Sequence, residues 1–195
     1  MRIRLTLVLV FVAALRVAGA QSPQALADAA NAKLQALIHR QDAARQARAA
    51  TRTVFSQTEM NAYLKYRASW LPTGVSDPSV QFLGGQRIAT LVTADLDGVR
   101  RKSSGGWFDP TAYLSGKLPV YVTGTLATSG GRGRFALEQA TVSGVPVPKM
   151  FIAELLAYYT RSADNPAGVG LEEPFELPNE IQTIDVSQGS AVVIQ

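Results

Sequence analysis

The 195-residue chain contains no cysteine, one histidine, three methionines and two tryptophans. Without cysteine there is no disulfide framework, no thiol nucleophile, no thiolate ligand for a metal and no N-terminal cysteine to carry a lipid. The single imidazole, His39, cannot make a zinc site of the usual nitrogen and sulfur type. A Ser-His-acid triad would have to use the same residue, and no serine stands in a G-x-S-x-G elbow. His39 therefore reads as a surface residue of a helix. Long hydrophobic runs are also scarce. The longest, Leu5 to Leu15, has eleven residues, whereas a membrane-spanning helix needs about 20.

That run instead has the form of an export signal. Arg2 and Arg4 precede it, and Ala18-Gly19-Ala20 follows as a small-residue cleavage site. The sequence thus predicts a signal peptide over 1–20, cleavage after Ala20 and a bacterial periplasmic location; retention of the run as an anchor is the alternative. Three of the 19 basic residues lie in this leader. Its removal leaves 16 basic against 15 acidic residues, a net charge of +1. So balanced a chain gives no footing for nucleic acid or for a strongly anionic partner. The 175 residues that remain suffice for one domain with a hydrophobic core.

Ser22 followed by Pro23 marks a helix start, and a helix is expected from 23 to about 50. Leu26, Ala30, Leu34, Leu37 and Ile38 form its apolar stripe, while QDAARQARAA beyond Gln41 offers a core only alanine. A second start is sharper. Ser56 and Glu59 have the spacing of a capping box, flanked by Phe55 and Met60 at the positions of a hydrophobic staple. The helix that follows should end at Pro72-Thr73-Gly74.

Beyond Gly74 the hydrophobic period changes from helical spacing to two. Three hairpins are expected: 79–83 with 87–96, 119–128 with 132–143, and 181–187 with 191–195, each around glycine-containing turns. Gly124 could mark a bulge. Between the second and third hairpins PKMFIAELLAYYTRS reads as a helix opened by Pro148 and apolar around nearly its whole circumference. Such a helix must be buried between layers or face something other than water.

The least regular stretch, 98–118, sets Arg100, Arg101 and Lys102 near Trp107. Cations and an amphipathic ring on one loop suit a peripheral membrane interface, although an ordinary solvated loop is the plainer reading. Asp95 and Asp97 would share a face if both lay on a strand, but Asp95-Leu96-Asp97-Gly98 reads more simply as a strand running into a turn. Glu172-Glu173 reads as solvated loop. The glycines of SGGRGR lack the lysine and serine or threonine of a phosphate-binding loop. No catalytic residue, metal ligand or cofactor site is assigned, and the chain is read as a non-enzyme.

The order of elements resembles a known group. FSQTEMNAYL follows a strand-like 51–55, Leu118-Pro119-Val120 opens a strand, Val142 to Pro148 leads into the apolar helix, and Leu177-Pro178 precedes Ile181 to Val186. Together these look like exported proteins of the YpmS type and, more distantly, LmeA-like envelope proteins, grouped with the tubular lipid-binding (TULIP-like) folds. The resemblance spans 51–195 as an order of elements. It implies an α+β fold, a curved antiparallel sheet of about six strands packed on two or three helices, with an apolar groove between them.

The resulting expectation is an N-terminal helix (21–50) and a single α+β domain (51–195) that binds a lipid or other apolar molecule. Val92, Leu96, Val122, Phe151, Leu155 and Tyr158 are the candidate groove residues. The alternative is an envelope scaffold with a fully packed interior, contacting protein partners through its helix and sheet edge.

Overall fold

The computed structural model describes residues 21–39, 50–97 and 115–195. The expected leader, the expected continuation of the first helix over 40–49 and the expected loop with Arg100, Arg101, Lys102 and Trp107 lie outside the described residues. Within them the protein is α+β. Helices α1 (Pro23–His39), α2 (Gln57–Tyr66) and α3 (Lys149–Thr160) accompany strands β1 (Arg52–Ser56), β2 (Val75–Gly84), β3 (Arg87–Asp95), β4 (Lys117–Ser129), β5 (Arg132–Val142), β6 (Val145–Pro146), β7 (Phe175–Glu176), β8 (Thr183–Ser187) and β9 (Ser190–Ile194). None of these helices is long and apolar enough to cross a membrane.

All strand pairings are antiparallel and fall into two sheets. The larger has the order β2-β3-β4-β5-β6, with β7 also on β5; the smaller is β1-β9-β8. The first two expected hairpins form the body of the large sheet, but the third belongs to the small one, where β1 joins it. The large sheet reaches six strands through two-residue strands β6 and β7. Strand β8 lies against the tips of the other hairpins. Gln86 donates its backbone amide to the Val186 carbonyl at 3.2 Å, Thr128 exchanges hydrogen bonds with Ile184 at 2.8 and 3.0 Å, and Gly131 donates to the Gln182 carbonyl at 3.0 Å.

Local sequence explains most element ends. Ser22 Oγ accepts from the Ala25 amide at α1. Ser56 and Glu59 complete the capping box of α2, at 3.1 and 2.9 Å, and Met60 packs against the cluster around Phe55. This helix stops at Tyr66 rather than running to Pro72. Leu71 precedes a proline, which disfavours α conformation there, and the chain leaves the helix early to reach β2. That strand begins at Val75, ahead of its expected start, because its register shifts between Ser76 and Ser79 around Asp77 and Pro78. A proline is tolerated at such an edge-strand bulge. Gly124 also stands at a register shift, between β4 and β5.

The interior divides in two. Leu37, Phe55, Ile181 and Val193 form one cluster under α1 and the small sheet, next to Phe82, Val186 and Ala191. Ile38, placed on the apolar stripe by its spacing, is instead 44 % exposed. The other cluster packs α3 against the large sheet through Phe151, Ile152 and Leu155 on the helix and Ala94, Leu96, Val120, Ala140 and Val142 beneath it.

Candidate functional site

Strand register determines which side chains α3 meets. Residues paired across an antiparallel sheet share a face. Pairing of Val92 with Val120, Ala94 with Leu118 and Val75 with Ala94 aligns the first turns of β2, the end of β3 and the start of β4 on one side. On α3, Ile152, Leu155, Leu156 and Tyr159 recur at the i, i+3, i+4, i+7 spacing of a single helical face. Between these two surfaces lies an open groove of about 170 Å³, bounded by Val75, Val92, Ala94 and Val120 from the strands and by those four residues of α3. Its lining is entirely apolar.

Tyr159, the last of these residues on α3, is tied down. Its hydroxyl donates to the Asp95 backbone carbonyl, tying the last turn of α3 to the end of β3. Burial, with the Asp95 carboxylate and Tyr158 adding to it, holds the phenol above its ordinary range, so it stays protonated and able to donate. Gly74 lies against the edge of the ring: a Cβ there would approach the hydroxyl and Cε1 to 3.2 and 3.3 Å, at a backbone φ of +91°. Tyr158 meets Tyr159 edge to face, with ring centroids 5.1 Å apart. The neighbouring Thr160 hydroxyl is also engaged, donating to the Leu156 carbonyl and accepting from the Val169 amide, both at 2.7 Å.

Of the candidate groove residues, Val92 and Leu155 line the opening. Leu96 and Phe151 are buried in the adjoining core, 2 % and 8 % exposed, while Val122 and Tyr158 pack against that core part-buried. The groove also uses Val75, Ala94, Val120, Ile152, Leu156 and Tyr159, which were not singled out. Four of its eight residues carry the i, i+3, i+4, i+7 signal from Ile152. That signal was masked because α3 is apolar almost all round, and only tertiary packing phases it.

The acidic groups build structure. Asp95 accepts from the Asp97 amide at 3.1 Å and Asp97 from the Gly116 amide at 2.9 Å, the turn expected there. Glu172, read as solvated loop, instead pairs with Lys149. Hydrogen bonding from Lys149 is the main cause of its lowered pKa, and the Leu137 backbone contributes. Glu138 accepts from Thr125 at 2.6 Å and from Arg87 at 2.9 Å, which holds it below the usual range. Among the described residues no group of three or more His, Asp or Glu side chains could hold a metal ion.

In comparisons with known proteins, no family model matches the chain and no curated protein matches it. The functional reading therefore rests on the groove.

Proposed function

We propose that this is an exported, non-catalytic protein of the tubular lipid-binding type, which holds a lipid or other apolar molecule between its large sheet and α3. The observation that carries the reading is an open groove with an entirely apolar lining, beside which the Tyr159 and Thr160 hydroxyls are engaged within the protein. Ligand sites are concave and mostly apolar, with few polar groups. This one is at that limit.

The volume sets the scale. A methylene takes up about the 30 Å³ of a water in the liquid, so the groove accommodates about five or six. At about 0.8 kcal/mol each, their burial contributes at most roughly 4–5 kcal/mol before the cost of association.

The scaffold alternative draws less support from the sheet. Its β2 edge is occupied: Asn61 bonds both backbone groups of Val80, and Gln57 Oε1 accepts from the Phe82 amide at 2.9 Å. On β5, strands β6 and β7 cover the two ends of the edge, and Glu172 takes a backbone hydrogen bond at Leu137 between them. Among the described residues, little of the large sheet's edge is left open for a partner strand.

Native mass spectrometry with lipid extraction, on protein purified from its own host, tests the proposal. Near-stoichiometric apolar ligand is the expected result. A well-folded protein that carries none and takes up no fatty acid would contradict it.

A further inference from the structure

We propose that Tyr159 is the stop of the groove, an aromatic end wall latched in place by its own hydroxyl, and that it sets the length of alkyl chain the groove accepts. This rests on the apolar-ligand reading above and assigns a specificity-determining residue within it.

The residues of α3 that line the groove form one apolar stripe from Ile152 to Tyr159. Seven residues of helix advance about 10 Å, enough to flank the five or six methylenes that the volume admits. At the far end the stripe changes character. Ile152, Leu155 and Leu156 present branched aliphatic side chains, whereas Tyr159 presents a ring held from three sides. Its hydroxyl is bonded to the Asp95 carbonyl, Gly74 lies against its edge, and Tyr158 packs on it edge to face. Gly74 contributes by having no side chain: its φ of +91° is costly for other residues, and a Cβ would press on the ring. An aliphatic side chain at 159 would be free to change rotamer around a ligand. The latched ring is not, so a chain advancing along α3 ends against it.

The latch also makes the stop favour an apolar terminus. Because the hydroxyl is already committed to the Asp95 carbonyl, a polar group arriving at this end would find no free donor there, and an alkyl terminus would leave nothing unpaired. The chain therefore enters tail first toward Tyr159.

The test is the chain-length dependence of n-alkanol binding, from butanol to dodecanol, followed by NMR on protein purified from its own host. In the wild type, affinity should rise about fourfold per methylene and then level off near about six carbons. Tyr159→Ala should move that plateau about three carbons further, since a phenol ring is replaced by room for that much chain. Tyr159→Leu, the milder variant should the alanine protein fail to fold, should move it by about one or two. Tyr159→Phe keeps the wall without its latch, and should keep the plateau position while flattening the break. An unchanged plateau in folded Tyr159→Ala or Tyr159→Leu protein, with chain binding intact, overturns the stop alone. Failure of the wild type to bind any alkanol overturns the groove reading, and the stop with it.

Discussion

Asn61 of α2 engages both backbone groups of Val80 on the neighbouring edge strand, its side-chain amide donating to the carbonyl at 2.9 Å and its oxygen accepting from the amide at 2.7 Å. One side chain thereby replaces a strand partner and locks α2 to β2. Both contacts are part-buried, so truncation leaves a donor and an acceptor short of partners. Asn61→Ala should destabilise the protein by about 2–3 kcal/mol, read as a lower denaturant midpoint. A loss below about half a kcal/mol would show that water replaces the side chain without penalty.

The second prediction concerns acid. Lys33 of α1 reaches Glu59 at 2.7 Å and the Val54 carbonyl at 2.8 Å, and lies over the Phe55 ring. Burial by itself would raise the Glu59 pKa. Hydrogen bonds from Lys33 and Ser56 outweigh it and bring the carboxyl below its ordinary value of 4.5. A carboxylate depressed in the folded state stabilises the fold above the unfolded pKa, and that stability is lost as pH falls through the folded value. Thermal stability should therefore decline below about pH 4.5, and Glu59→Gln should flatten the decline. Identical profiles for the two proteins would remove Glu59 as a source of the acid sensitivity.

At the bulge, a third prediction follows from close packing. A Cβ on Gly124 would come within 3.0 Å of the Phe135 ring and the Ala136 carbonyl oxygen. The first of these can rotate; the second is backbone of the paired strand. Gly124→Ala should cost about 1–3 kcal/mol, seen as a melting temperature lowered by several degrees. Phe135→Ala added to it should recover part of the loss if the ring is the main obstacle, and none if the backbone is.

Behind α3 the chain passes close enough that Gly168, at φ +80°, has no room for a side chain: a Cβ would fall within 3.0 Å of the Ala157 backbone. Gly168→Ala should detach the segment following α3 and raise amide exchange at Val169, whose amide now bonds Thr160. Unchanged protection at Val169 would show that the segment accommodates the methyl.

Legibility of the fold followed the range of the interactions. The capping box at Ser56, the Gly130-Gly131 turn with both φ positive and the period-two strands are local, and each could be read from adjacent residues. The partnership of β1 with β9 joins residues about 140 positions apart, and no local pattern announces it, so the separate small sheet is not legible from the third hairpin alone. The groove is only partly legible for a related reason. Apolar character identified α3, but a helix apolar on every side hides which residues face the strands. Tyr158 packs against the core while Tyr159 lines the groove, a difference of one residue, which is about 100° of rotation around the helix.

Methyl NMR during titration with octanoate tests the central claim most directly, because Val75, Val92, Val120, Ile152, Leu155 and Leu156 all carry methyl groups. The account predicts that these shift together and saturably, while Leu37, Ile181 and Val193 of the other core cluster stay in place. Absence of shifts, or shifts shared equally by both clusters, would contradict a binding groove beside α3.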